Sequence, residues 1–102
     1  MADEAGYRLW LDTSTSGKML TVIPHIAVPA AVTLRYEIIS TKHGKSGRSS
    51  TSQSGRVAVD REGSQTFAKL SLGVGLDDRY TIAVKVFDGT KLVAEQTLNY
   101  PQ

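Results

Sequence analysis

The chain has 102 residues, of which 40% are hydrophobic and 22% charged. This is ordinary globular usage for one domain and argues against general disorder. A net charge of +2 predicts neither nucleic-acid nor membrane binding by itself, and the lack of cysteine excludes a disulfide, a thiolate zinc site and a cysteine nucleophile.

The chain begins with a short polar segment that carries no strand pattern. We expect residues 1–6, MADEAG, to be disordered and residues 7–101 to form a single domain. The start lacks the basic and apolar regions of a signal peptide. A secreted protein in its mature form, with an added methionine, would look the same, so the sequence does not predict the cellular compartment. No apolar run reaches the ~20 residues that cross a bilayer, which predicts no membrane insertion.

The first two predicted strands follow. Tyr7, Leu9 and Leu11 alternate with Arg8, Trp10 and Asp12, and either set could face inward. The second strand is predicted from Lys18 to Val28 and contains a proline. Because Pro24 has no N–H to donate, we expect this strand to lie at an edge or to bulge at that residue.

The third predicted strand and the segment after it have opposite character. The strand covers Val32–Thr41, and its predicted inner face is Val32, Leu34, Tyr36 and Ile38. The next residues, 43–55, read HGKSGRSSTSQSG and include no apolar side chain. They are typical of a flexible loop, or of a polar edge strand with loops at each end.

The remaining residues predict four more strands. Two short ones are expected at Arg56–Val59 and Gln65–Leu72, and the clearest alternation in the chain runs from Tyr80 to Phe87. Asp88-Gly89 is typical of a tight hairpin turn, so Leu92–Leu98 should pair with the strand before it.

About seven short strands separated by turns indicate an all-β sandwich. Tyr80 starts the penultimate strand, two residues before Ile82, as in the tyrosine corner of immunoglobulin domains. We therefore predict an immunoglobulin-like β-sandwich of about seven antiparallel strands without a disulfide. A small barrel is the alternative.

Positive charge is concentrated in one part of the chain. Residues 38–59 contain Lys42, Lys45, Arg48 and Arg56, together with His43, and no Asp or Glu. A solvated surface is the commonest reason for such a segment, and a protein-recognition patch is the next. Nucleic-acid binding is disfavoured, because no aromatic residue for base stacking lies between Tyr36 and Phe67.

Catalytic and metal-binding patterns are weak. His25 and His43 are the only histidines, and neither has a nucleophile or carboxylate at a meaningful spacing. Gly44-Lys45-Ser46 lacks the first glycine of a phosphate-binding loop, and Gly73-Val74-Gly75 lacks the third glycine of a dinucleotide turn. The sequence predicts no enzyme, no cofactor and no metal site.

Several segments together resemble the curli-assembly chaperones, the CsgC and CsgH-like family. They are Met19–Pro24, Ser46–Gln53, Lys69–Leu72, Asp77–Arg79 and Asp88-Gly89. The resemblance implies a non-enzymatic, immunoglobulin-like protein of the bacterial periplasm that delays amyloid formation by the curli subunit, substoichiometrically and by electrostatic guidance. Some members carry Cys-X-Cys where this chain has Val32-Thr33-Leu34, so the cysteine-free, CsgH-like branch fits better.

Charge placement supplies the candidate client-binding residues. They are Lys42, Lys45, Arg48 and Arg56, with Arg35, Lys69 and Lys85 as additions on outward strand positions. The expected partner is the unfolded or early oligomeric curli subunit, with no nucleic acid, and the protein is expected to be a monomer. The alternative is a binding or adhesive module that forms a stable complex by strand addition along Arg48–Ser54.

Overall fold

The computed structural model describes residues 6–45 and 47–101, which form eight β-strands. They are β1 (Arg8–Ser16), β2 (Met19–Val28), β3 (Val32–Gly44), β4 (Gly47–Val59), β5 (Gly63–Thr66), β6 (Leu70–Gly73), β7 (Arg79–Asp88) and β8 (Lys91–Tyr100). Of the predicted disordered segment 1–6, only Gly6 is described, in a turn before β1. Residues 1–5 lie outside the described residues, so that prediction stays untested.

The strands form two antiparallel sheets. In the first sheet, β2 is central, with β1 on one side and both β5 and β6 on the other. The second sheet has the order β4-β3-β7-β8. The apolar side chains of both sheets share one core, so the predicted β-sandwich is confirmed and the barrel alternative is wrong.

The predicted inner faces are those that are buried. Leu34 and Ile38 of β3 are 0% and 1% exposed, and the alternate residues from Tyr80 to Val86 of β7 are buried as well. In β1, Leu9 is buried and its neighbours Tyr7 and Leu11 pack against the core, which decides between the two faces that the sequence left open. Alternate residues of β3 and β7 consequently face outward.

The strand that contains Pro24 is central in its sheet, so the expectation of an edge strand is wrong. The expected irregularity is present, but it lies in the neighbouring strand. Two residues of β2, Ile23 and Pro24, face the three residues 67–69, which separate β5 from β6. The interruption thus lies opposite the one residue of β2 that has no N–H to donate. The Phe67 N–H donates to the Pro24 carbonyl oxygen at 3.4 Å.

The polar segment after β3 is a strand. All thirteen residues of β4 pair with β3 without a register shift. The flexible-loop interpretation is therefore wrong, and the polar edge strand is confirmed, with no loop between it and the predicted strand at Arg56–Val59. Its hydroxyl side chains bond across the hairpin: Ser40 with Thr51 at 2.9 Å, and Thr41 with Ser50 at 3.1 Å. These bonds stabilise the part of β4 before Val57, which has no apolar side chain, whereas Val57 and Val59 are buried in the core.

A tyrosine corner joins the two sheets at the start of β7. The Tyr80 hydroxyl donates a hydrogen bond of 2.7 Å to the carbonyl oxygen of Gly73, at the end of β6. This is the backbone contact expected of a tyrosine in that position of an immunoglobulin-like sandwich.

Candidate functional site

The outer face of the second sheet carries two rows of side chains that include most of its positive charge. The tip row, near the β3–β4 turn, consists of Arg48, His43 and Arg79, which are neighbours across β4, β3 and β7. The base row, at the other end of the face, consists of Arg56, Arg35 and Phe87 on the same three strands. Strand pairing thus places residues that are distant in the sequence side by side in two rows.

In the base row, two arginines lie directly opposite each other. The Arg35 guanidinium lies 4.3 Å from the centre of the Phe87 ring and forms an ion pair with Glu37. Arg56 has no carboxylate within ion-pair distance in the part of the chain that the structure describes. Like charges in cross-strand positions repel, and Glu37 balances only one of these two arginines, so one positive charge of the pair stays unbalanced among the described residues. The two side chains line a shallow depression of about 300 Å³ beside the β7–β8 turn at Gly89.

The tip row carries charge that is also unbalanced. Within residues 6–45 and 47–101, neither Arg48 nor Arg79 lies within 4.0 Å of a carboxylate. Arg48 is exposed at the end of β4, and it lines a small depression with Lys42 and Asp78. The row therefore presents two uncompensated guanidinium groups to solvent.

The face between the rows is mostly polar, with Ile39 and Ala83 as neighbouring apolar side chains. Thr41 and Ser50 form one neutral pair, and Ile39, which is 46% exposed, lies opposite Ser52. Lys85 lies nearer the base row and is balanced: it pairs across strands with Glu37 and Glu95, and its Nζ is 4.0 Å from Glu95 Oε2.

Two predicted site lysines are neutralised by the loop before β7. Lys42 Nζ lies 3.3 Å from Asp78 Oδ2, and Lys45 Nζ lies 3.2 Å from Asp77 Oδ2. The hydrogen bond from the Gly75 N–H to Asp78 Oδ2, at 2.7 Å, is the main cause that lowers the pKa of Asp78, and Lys42 lowers it further. Each of the two lysines therefore has a carboxylate partner in the loop before β7.

The seven predicted residues therefore do not form one cluster. Four of them share the outer face of the second sheet: Arg48 in the tip row, Arg35 and Arg56 in the base row, and Lys85 between the rows. Lys42 and Lys45 lie near the tip row but are paired with carboxylates. Lys69 is exposed in the interruption between β5 and β6, on the other sheet.

The sequence-based selection missed Arg79. Two aspartates precede Arg79 in the sequence, so it does not belong to the stretch without acidic residues from which the main candidates were chosen. The available signal is its position next to Tyr80: a buried tyrosine at the start of a strand directs its neighbour outward. Only the register with His43 of β3 shows that it extends the tip row.

The outer face of the first sheet is of mixed charge. Trp10 and His25 stack with ring centres 5.1 Å apart, and His25 Nε2 lies 2.7 Å from Asp12 Oδ2. The Arg8 guanidinium lies 5.4 Å from the Trp10 ring centre.

No group of three or more His, Cys, Asp or Glu side chains that could hold a metal ion occurs among the residues described. None of the described residues belongs to a helix long and apolar enough to cross a membrane.

Comparison with known proteins assigns the family. Residues 2–98 match the model of a family described as thin aggregative fimbriae synthesis protein. The chain belongs to this family. The curli assembly protein CsgC of Escherichia coli O1:K1 is 33% identical over 89 residues, which is 87% of this chain and 81% of that protein. The protein of the same name from Salmonella typhimurium is 27% identical over 84 residues, or 82% of this chain and 78% of the relative.

Solved structures of the thin aggregative fimbriae synthesis family agree in fold. The E. coli curli protein CsgC superposes with a TM-score of 0.74 and 29% identity over 94% of this chain and 99% of the other. The solution structure of R. palustris CsgH gives a TM-score of 0.70 at 20% identity, with 91% of each chain covered. The resemblance to the CsgC and CsgH-like family is thereby confirmed. Its members are named for assembly of a fibre and not for a reaction.

Proposed function

We propose that this chain acts in curli assembly as a periplasmic chaperone that delays amyloid nucleation of the curli subunit by transient, substoichiometric contact. Family membership supports the role in assembly. The observation that carries the electrostatic part is the outer face of the second sheet, where Arg48, Arg56 and Arg79 have no carboxylate partner among the described residues.

The composition of this face favours fast and reversible contact. Uncompensated guanidinium groups attract an acidic, unfolded chain and raise the rate of encounter. Between the two rows, Ile39 is the one large apolar side chain described as exposed on this sheet, so few apolar contacts would hold the client. A chaperone of this kind releases one subunit quickly and meets the next.

We rank the candidate residues by how much unbalanced charge each contributes. Arg48, Arg56 and Arg79 stand first, because no carboxylate of the described chain pairs with any of them, and Arg79 is thereby added to the proposed site. Four residues contribute less because each has a carboxylate partner: Arg35, Lys42, Lys45 and Lys85. Lys69 lies away from the face.

The chaperone proposal is tested by following amyloid formation of purified curli subunit by dye fluorescence. The protein is added well below one molecule per subunit, in low and in high salt. We expect a longer lag that shortens again in high salt, because salt screens exposed charges. An unchanged lag at every ratio would contradict the proposal.

A second candidate function is a binding or adhesive module that holds its partner stably by strand addition. The observation that favours it is the position of β4 at the edge of the second sheet, with only β3 beside it. A sizing column separates the two functions: a stable complex with the curli subunit favours the module, whereas delayed nucleation without such a complex favours the chaperone.

A further inference from the structure

One edge strand of the second sheet is covered by the first sheet, and the other is exposed along most of its length. The edge strand β8 lies beside β1 of the first sheet, and the Gln96 side-chain amide donates to the Leu9 carbonyl oxygen at 3.2 Å. The edge strand β4 has no such cover along Gly47–Ser54, where all but the glycine are polar or charged and each residue is exposed. The sandwich is therefore closed on one side and open on the other.

The open edge lacks the backbone features that usually prevent strand pairing, and its charged side chains, Arg48 and Arg56, would repel a basic strand but not an acidic one. Natural edge strands are often short, bulged or interrupted by proline. β4 is thirteen residues long, contains no proline and pairs with β3 without a bulge. Alternate residues of an edge strand leave their N–H and C=O groups free, so β4 offers a long, regular template for one more strand.

The side chains of β4 define what kind of strand would fit. The outward positions from Arg48 to Arg56 are Arg48, Ser50, Ser52, Ser54 and Arg56. Positive charge thus stands at both ends of a run of three serines. The two arginines are eight residues apart, which is about 27 Å along a strand. A strand added to β4 would place its own outward side chains beside these five.

We propose that the free edge of β4 binds an extended segment whose carboxylates are eight residues apart, one beside Arg48 and one beside Arg56, with small polar side chains between them. The occupant is a segment of an acidic, unfolded protein. The inference rests on the proposed function, and it names the docking edge and the spacing that this edge recognises. Strand addition is here weak and reversible, in contrast to the stable complex of the second candidate.

The spacing is specific because a strand has a period of two. A segment with carboxylates seven residues apart would direct one of them to the opposite face, away from the arginines. A segment with carboxylates six residues apart would bring one of them beside Ser50 or Ser54 instead of an arginine. Each exposed carboxylate–arginine pair contributes up to about a five-fold change in affinity.

The test uses short, capped peptides of Ser, Thr and Gln that contain two Asp residues. Peptides with the aspartates eight, seven and six residues apart are titrated into isotopically labelled protein at low salt and followed by NMR. We expect the eight-residue spacing to bind up to about five-fold more tightly than the other two. It should also slow hydrogen exchange of the β4 amides, which unspecific charge attraction would leave unchanged.

Two controls separate strand addition from attraction alone. The peptide with the eight-residue spacing, methylated at the alternate backbone nitrogens that would face β4, keeps both carboxylates but cannot form a ladder, so it should lose most of the affinity. Arg48→Gln and Arg56→Gln should each remove the preference for the eight-residue spacing, whereas Lys69→Gln, on the other sheet, should not change it. Circular dichroism checks that each variant is folded.

The outcomes distinguish this inference from the proposed function. Equal binding of the three peptides, binding without slowed exchange in β4, or no binding would each overturn the inference, while the dye assay could still show delayed nucleation. Spacing-dependent binding together with an unchanged lag would support the inference and contradict the chaperone role.

Discussion

The hydroxyl of Tyr80 donates to the carbonyl oxygen of Gly73 at 2.7 Å, and this single bond ties the start of β7 to the end of β6 in the opposite sheet. The tyrosine ring is itself part of the core, with 7% of the residue exposed. The corner therefore fixes the loop that carries Asp77 and Asp78, and through them the position of the β3–β4 turn.

Replacing this tyrosine tests the corner. Tyr80→Phe keeps the buried ring but leaves the Gly73 carbonyl without its donor, so we expect a loss of about 1 kcal/mol in the free energy of unfolding. In a domain of this size, that lowers Tm by roughly 4–8 °C. Urea and thermal denaturation measure it, with Tyr100→Phe as a matched control outside the corner. An unchanged Tm would show that the bond contributes nothing.

Gly55 makes room for the ring of Tyr36. A Cβ atom at residue 55 would lie 2.6 Å from the Tyr36 Oη atom, and Tyr36 in turn packs against Phe67 with ring centres 4.9 Å apart. Gly55→Ala should therefore displace an aromatic pair and cost about 1–3 kcal/mol. Ser54→Ala, at the exposed neighbouring position of β4, is the control and should cost less than about 0.5 kcal/mol. Equal stability of the two variants would mean that the rings shift freely.

The carboxylate of Asp78 makes stability depend on pH. Its pKa is lowered below the ordinary value of 3.8, first by the Gly75 N–H and then by Lys42. A lowered pKa in the folded state adds stability at neutral pH that is lost as the pH falls through that pKa. Asp78→Asn should thus have a lower Tm than the parent protein at pH 7, and the difference should shrink below about pH 4. A difference that stays constant down to pH 2 would contradict this origin.

The loss of inhibition caused by a charge reversal should depend on whether a carboxylate already balances the reversed residue. Reversing Lys45 and Arg48 together to Glu should weaken inhibition of curli amyloid formation. Of the two, Arg48→Glu should account for most of the loss, because Lys45 is already paired with Asp77. At low salt, we expect the Arg48 variant to require several-fold more protein for the same lag. Equal effects of the two single variants would show that the ion pair does not shield Lys45.

Much of the fold could be predicted from local pattern. A period of two with β-branched residues marked most of the strands, and the alternation in β3 identified its buried face correctly. The tyrosine corner followed from the position of Tyr80 at the start of its strand. These features depend on neighbours within a few residues, so the sequence contains them directly.

The sequence by itself determined the fold class, the family and the place where positive charge is concentrated. It could not determine which cations act together, because that depends on contacts between distant strands and loops. The carboxylate partners of Lys42 and Lys45 lie more than thirty residues away in the sequence, and Arg79 lies equally far from His43, its neighbour in the sheet. It also left the first part of β4 ambiguous, since residues 47–55 have no apolar side chain and are held by the backbone and hydroxyls of the partner strand. Only the tertiary structure decided that this strand is continuous, that one edge of the sandwich is open, and which arginines flank it.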